Sequence, residues 1–293
     1  MNLKKMTKWL SVFTLSLVLA ACGNDAADNK TMGDGEASED IHVITREDGS
    51  GTRGAFVEIV DVTDEGGEDM ITQTATVQNG TSAVMQGVAN DETAIGYISL
   101  GSLDASVKGI EIDGAKPTAE LISSGDYTLA RNFNVVYGED LNELGQDFYD
   151  FFFSSQAQEI AVEQGYVEVK TDAEEYETSD LEGSISVVGS TSVEPLMAAF
   201  AEVYQELNPK ITIDITAPGS GAGITSVMDG SADIGMSSRE LAEEEISEVA
   251  GFDAIAVDGI AVIVNNDNPI SALTVEEVKE IYLGDMISWP VTK

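Results

Sequence analysis

Histidine and cysteine are almost missing from this chain, with one of each among 293 residues. A single cysteine, Cys22, excludes a disulfide within the chain. Without a His/Cys cluster a zinc site has no ligands. A Ser-His-Asp arrangement would have to use His42, at the edge of a polar segment. Basic residues are also scarce: 14 Lys and Arg face 53 Asp and Glu, for a formal net charge of −39. Nucleic-acid binding needs a basic surface, so that partner class is excluded. Polybasic attachment to anionic lipid is excluded on the same ground. The acid excess reads as a solvated surface. Steering of an anion would be unfavourable, but salt screens such fields over about 8 Å. Only 6 prolines accompany 28 glycines, which fits an α/β protein with many tight turns. EF-hand spacing is missing, and Gly49-Ser50-Gly51-Thr52 lacks the Gly-Lys-Ser/Thr of a Walker loop.

The first residues read as a targeting segment. Lys4, Lys5 and Lys8 precede an apolar run over residues 9–21, too short for a comfortable span. It ends Leu19-Ala20-Ala21-Cys22-Gly23, which resembles a bacterial lipobox with Cys22 lipidated. Residues 1–21 are then the signal, and the polar stretch 22–40 is a tether unable to bury a core. Past residue 21 no apolar run is long enough to span a membrane.

What is plentiful is the glycine-serine turn placed to open a helix. Such turns occur at Asp48-Gly49-Ser50-Gly51-Thr52-Arg53-Gly54, at Val188-Gly189-Ser190-Thr191-Ser192 and at Pro218-Gly219-Ser220-Gly221-Ala222-Gly223. A helix N-terminus offers unpaired N–H groups and a positive dipole end, a ready site for an oxyanion. Any one of these serines is satisfied by a simple N-cap role. The convergence of three turns with Arg46 carries the anion reading. Arg46 can donate a forked pair of hydrogen bonds, and Asp48 is placed to fix its guanidinium.

Strand-like and helical runs alternate, the pattern of an α/β fold. Strands are expected at residues 41–45, 94–100, 134–137, 184–188, 211–215 and 232–236. Helices are expected at 54–60, 81–89, 195–207, 224–228 and 275–282, with 141–164 as one helical stretch. Residues 255–257 and 260–265 are a long apolar stretch, and 169–182 read as an acidic linker. Ligands of open α/β sheets bind beyond the carboxyl ends of strands.

Thr45-Arg46-Glu47-Asp48-Gly49-Ser50-Gly51-Thr52-Arg53-Gly54-Ala55-Phe56 resembles the phosphate loop of the PstS family, the phosphate-binding subunits of Pst ABC importers. Ala94-Ile95-Gly96-Tyr97-Ile98-Ser99 resembles its Gly-Tyr strand. Residues 188–196, 219–223 and 232–239 resemble its remaining anion loops. The order is swapped relative to the family's usual form. This looks like a circular permutation with the old termini joined by 169–182 and new ones near Ile41 and Lys293. A gene misassembled or truncated from a tandem array is the alternative.

The resemblance implies a two-lobed, periplasmic-binding-protein-like (type II) α/β fold with a ligand cleft and two crossing hinge strands, near residues 132–136 and 257–260. One lobe would comprise 41–136 plus 259–293, and the other 137–258. It implies that Arg46 pairs with the anion, helped by Asp48, while Ser50, Gly51 and Thr52 donate from the same loop. Thr191, Ser192 and Ser220 would donate from the opposing lobe. Ser238 stands where many members carry an aspartate that accepts a proton from phosphate and so rejects sulfate. Asp48 or Glu240 is expected to share that task. The implied function is uptake of inorganic phosphate with an ABC permease. The protein would be a lipid-anchored monomer on the outer face of the bacterial cytoplasmic membrane, without cofactor, metal or catalysis. Sulfate or molybdate binding, a sensor or scavenger without a permease, and a phosphatase are the competing readings.

Overall fold

A computed structural model describes residues 40–289. The signal, Cys22 and nearly all of the tether lie outside the described residues. In chain order the elements are β1 (His42–Arg46), α1 (Gly51–Val60), β2 (Thr76–Gln78), α2 (Thr81–Ala89), β3 (Ala94–Ser99), β4 (Lys108–Gly109), β5 (Glu111–Ile112) and α3 (Ala119–Ser124). Then follow β6 (Ala130–Tyr137), α4 (Glu143–Phe151), α5 (Ser155–Glu163), β7 (Gly183–Gly189), α6 (Glu194–Leu207), β8 (Ile211–Thr216), α7 (Ser220–Met228) and β9 (Ile234–Ser237). The last are α8 (Glu243–Ile246), β10 (Gly251–Val264), β11 (Ala272–Leu273) and α9 (Val275–Leu283).

The main sheet runs β2-β1-β3-β10-β6-β9-β7-β8, with β4 also on β10. Parallel strands β2, β1 and β3 form one flank, and parallel β9, β7 and β8 the other. Between them β10 and β6 run antiparallel. The apolar runs expected at 255–257 and 260–265 fall, up to Val264, in this one long strand. β10 pairs with β6 over Gly251–Gly259, then changes partner and pairs with β3 from Ile260 to Val264. Alternation sends Ile260, Val262 and Val264 into one core and Ala261 and Ile263 into another on the opposite face. Burial on both faces is why β10 reads as a continuous apolar run.

The second flank has its own core. Phe133 and Val135 of β6 pack with Phe148, Phe151, Phe152, Ile185, Val187, Phe200 and Tyr204. Val136, Ile224, Val227 and Leu241 cover the other face. The result is a mixed α/β, two-lobed fold, with β6 and β10 passing between the cores.

One expectation needs correction. Residues 141–164 are not one helix. Ser154 donates to Phe151 O at 2.6 Å and accepts from Ala157 N at 3.3 Å, closing α4 and capping α5. Residues 169–182, expected as an acidic linker, form neither helix nor strand, and they are packed against the second flank. Tyr176 packs edge-on to Phe151 and donates to Asp147 Oδ2, which also receives Tyr204 Oη at 2.6 Å. At the other end of the described chain, Ile41 N donates to Ile287 O at 2.8 Å.

Candidate functional site

Several strand ends feed one cluster. β1 leads through Gly49 and Ser50 into α1, with Ser50 Oγ accepting from Arg53 N at 3.3 Å. β7 leads through Gly189 and Ser190 towards α6, and β8 through Gly219 into α7. Gly189 has φ 155°, and a Cβ there would collide with the Met236 backbone, so glycine alone lets β7 lie this close to β9. A fourth turn, missed in the sequence, has the same form. β2 leads through Gly80, at φ 86°, to Thr81 at the start of α2. Its signal was present, a Thr-Val-Gln strand followed by Asn-Gly-Thr.

The side chains of these turns meet. Thr52 Oγ1 lies 2.7 Å from Ser192 Oγ. Thr81 Oγ1 lies 3.3 Å from Ser192 Oγ and 3.4 Å from Thr191 Oγ1. Arg46 Nη2 donates to Thr191 Oγ1 at 2.9 Å. Ser190 Oγ donates to Ser238 Oγ at 2.8 Å, and Ser220 Oγ lies 3.4 Å from Ser238 Oγ. Gly221 N donates to Gly49 O at 3.1 Å, joining the first and third turns through backbone. A Cβ on Gly51 would collide with Ser220 Oγ and come within 2.7 Å of Ser238 Oγ. Arg46, Ser50, Thr52, Thr81, Ser190, Ser192, Ser220 and Ser238 are all buried. The structure therefore brings together Arg46, Gly51, Thr52, Thr191, Ser192, Ser220 and Ser238, and adds Thr81 and Ser190, while the Ser50 hydroxyl is occupied as the cap of α1.

Arg46 supplies the positive charge. Its Nε and Nη2 donate to the Glu47 carboxylate at 2.8 and 2.7 Å. Burial pulls the Glu47 carboxyl up. The Arg46 hydrogen bond and charge, with the Gly80 amide, outweigh it and hold Glu47 below the usual carboxylate range. Arg46 Nη1 is buried without a hydrogen-bond partner among the described residues. An orphaned guanidinium nitrogen is costly to bury, and an anion would satisfy it. Behind it, Tyr97 stacks on Phe56 with ring centroids 3.9 Å apart. Tyr97 Oη lies 2.7 Å from Thr45 Oγ1 and accepts from Arg46 N at 3.3 Å. Burial pushes the Tyr97 hydroxyl up to about 12, so it stays protonated.

The role given to Asp48 is overturned. Its side chain is 99% exposed and reaches Arg53 at 3.1 Å, not Arg46. The chain turns at Asp48-Gly49 just after β1, which sends Asp48 to solvent and leaves Glu47 beside the guanidinium. Glu240 is exposed too, and accepts from Asn132 Nδ2 at 3.1 Å. Neither acid belongs to the cluster. His42 is engaged by Asp91 at 2.6 Å and Thr76 at 2.7 Å, neither of them a member of the cluster. Among the described residues no group of three His, Cys, Asp or Glu could hold a metal, and no helix is long and apolar enough to cross a membrane.

A mixed sheet with two parallel flanks, joined by crossing strands and carrying a hydroxyl-lined arginine site, defines a class of ligand-binding protein. The family model described as a PBP superfamily domain matches residues 2–156 and 171–291. The chain is 46% identical over its full length, and the full length of the relative, to "Phosphate-binding protein PstS 2" of Streptococcus pneumoniae. It is 40% identical to the PstS 2 protein of Streptococcus agalactiae, over 93% of this chain and 92% of that one. A crystal structure of the phosphate-binding protein of a phosphate ABC transporter from S. pneumoniae is 48% identical. It covers 86% of this chain and 98% of its own, with a TM-score of 0.69. The chain belongs to the PBP superfamily and, within it, to the PstS family.

Proposed function

We propose that this protein binds inorganic phosphate outside the cytoplasmic membrane and delivers it to an ABC-type import permease. The observation that carries the reading is Arg46 Nη1, buried and unpartnered amid hydroxyls from four helix-opening turns. The streptococcal relatives, named for phosphate binding, support it. Arg46 supplies charge, held by Glu47. Ser50, Gly51, Thr52 and Thr81 donate from the lobe of residues 41–136 plus 259–293. Thr191, Ser192, Ser220 and Ser238 donate from the lobe of 137–258. Closure of the lobes around the anion is the working motion, and no covalent chemistry occurs. The protein acts as a monomer held to the membrane by lipid on Cys22.

The segment order is a permutation rather than an accident of one gene. The end-to-end alignment with the S. pneumoniae relative supports this. So does the contrast with the Bacillus subtilis PstS, which aligns at 35% identity over only 36% of each chain.

Ser238 favours a second reading. A hydroxyl in place of a carboxylate repels a fully deprotonated anion less, so sulfate is the competing ligand. Calorimetric titration with phosphate, alone and against sulfate, tests both. Phosphate binding that survives excess sulfate supports the first reading. Equal affinities make this a general tetrahedral-oxyanion binder, and no heat with either ion rejects both.

A further inference from the structure

A buried ion pair sits beside the anion cluster. Arg131 on β6 stands directly opposite Asp258 on β10. Their side chains are 3% and 0% exposed. Arg131 Nη2 and Nε donate to Asp258 Oδ2 at 3.1 and 3.3 Å. Ser99 Oγ, at the end of β3, donates to Asp258 Oδ1 at 2.9 Å. The pair therefore lies where β10 leaves β6 for β3. The Arg131 guanidinium also sits over the Phe133 ring, 5.3 Å from its centroid.

Such a pair is a poor device for stability. Desolvating both ions offsets most of their attraction, and apolar residues of similar volume often do as well. Burial pushes the Asp258 carboxyl up to about 6 despite the pull of Arg131. What the guanidinium provides beyond an apolar pair is a third hydrogen bond. Arg131 Nη1 donates to the carbonyl of Ser238 at 3.1 Å. The other polar atoms of Ser238 are held within the cluster: its N–H donates to Ser220 Oγ at 3.1 Å, and its hydroxyl accepts from Ser190 at 2.8 Å. Arg131 holds the carbonyl that follows Ser238 in the chain, so the backbone carrying the Ser238 side chain is fixed on both sides, by Ser220 at its N–H and by Arg131 at its C=O.

We propose that Arg131, clamped by Asp258, is a positioning residue that sets Ser238 in the anion site and ties its geometry to the crossing strands. The proposal rests on the oxyanion-binding reading. A strand movement that shifts Arg131 against Asp258 also shifts the Ser238 peptide, so opening of the cleft and loosening of the anion are one event.

The test uses phosphate as the probe. Arg131→Lys keeps the charge beside Asp258 but not the fork. It is expected to weaken phosphate binding about tenfold, the order of one charge-assisted hydrogen bond. In a Ser238→Ala background the same change is expected to cost less than about threefold, because the group being positioned is already gone. The double substitution Arg131→Met with Asp258→Leu keeps an apolar hinge. It is expected to unfold at or above the wild-type temperature and still lose about tenfold in affinity. Additive losses in the cycle, or a folded Met/Leu variant binding within about twofold of wild type, overturn the proposal. Wild-type protein that binds neither phosphate nor sulfate overturns the oxyanion reading itself, and this proposal with it.

Discussion

Thr52 and Ser192 are 140 residues apart in the chain, and their hydroxyls lie 2.7 Å apart. One belongs to the first turn of α1 and the other to the turn that opens α6. Each α/β flank ends its strands in a helix start, and the crossing of β6 and β10 sets these starts face to face. The pair marks a line on which the two flanks meet. It also places two rotatable hydroxyls where either can donate to an anion.

Arg46 carries the charge of the site, so Arg46→Ala removes the most. The loss is expected at about 2–5 kcal/mol of phosphate affinity, the usual cost of truncating one member of a buried charged pair. Part of it comes from the half-buried Glu47 carboxylate, left unpaired and facing an anion. Calorimetry measures it, and a near-native dissociation constant would remove Arg46 from the site.

Gly51 tests closure. A side chain there meets Ser220 and Ser238 directly, so Gly51→Val props the flanks apart. Phosphate binding is expected to be lost while the thermal unfolding temperature changes little, because α1 retains its cap and its packed face. A variant that binds normally would mean that the flanks do not close at this contact.

Ser238→Asp tests selectivity. The carboxylate accepts a proton from hydrogen phosphate and repels sulfate. Sulfate competition is expected to weaken sharply in the variant, with phosphate still bound. Unchanged competition would place the discrimination elsewhere.

Glu47 has a folded-state pKa below its ordinary value of 4.5. A depressed carboxyl adds stability above the unfolded pKa and loses it as pH falls through the folded value. Wild-type protein is therefore expected to lose unfolding temperature steeply below about pH 4.5, and Glu47→Gln less steeply. Parallel acid limbs in the two proteins would show that Glu47 makes no such contribution.

Cys22→Ser tests the anchor. The variant is expected in the soluble fraction of cells whose wild-type protein sediments with membranes. Equal retention would reject lipidation.

Much of this was legible in the residues because the signals are local. A strand, a glycine and a serine in succession specify a turn and a capped helix within a few residues. That is why the turns at Ser50, Ser190 and Ser220 could be read directly, and why the turn at Gly80 could have been. The resemblance of these segments to one family pointed to the fold class and to an oxyanion ligand, since each motif survives a change in segment order. Tertiary structure decided the partners. Whether Glu47 or Asp48 holds Arg46 depends on which way the chain leaves β1. Whether Thr81 joins Thr191 depends on how two flanks cross, and whether Ser238 is steered by Arg131 depends on the register of β6 against β10. These are long-range relations between segments far apart in the chain, and only packing the two cores around a shared pair of strands sets them.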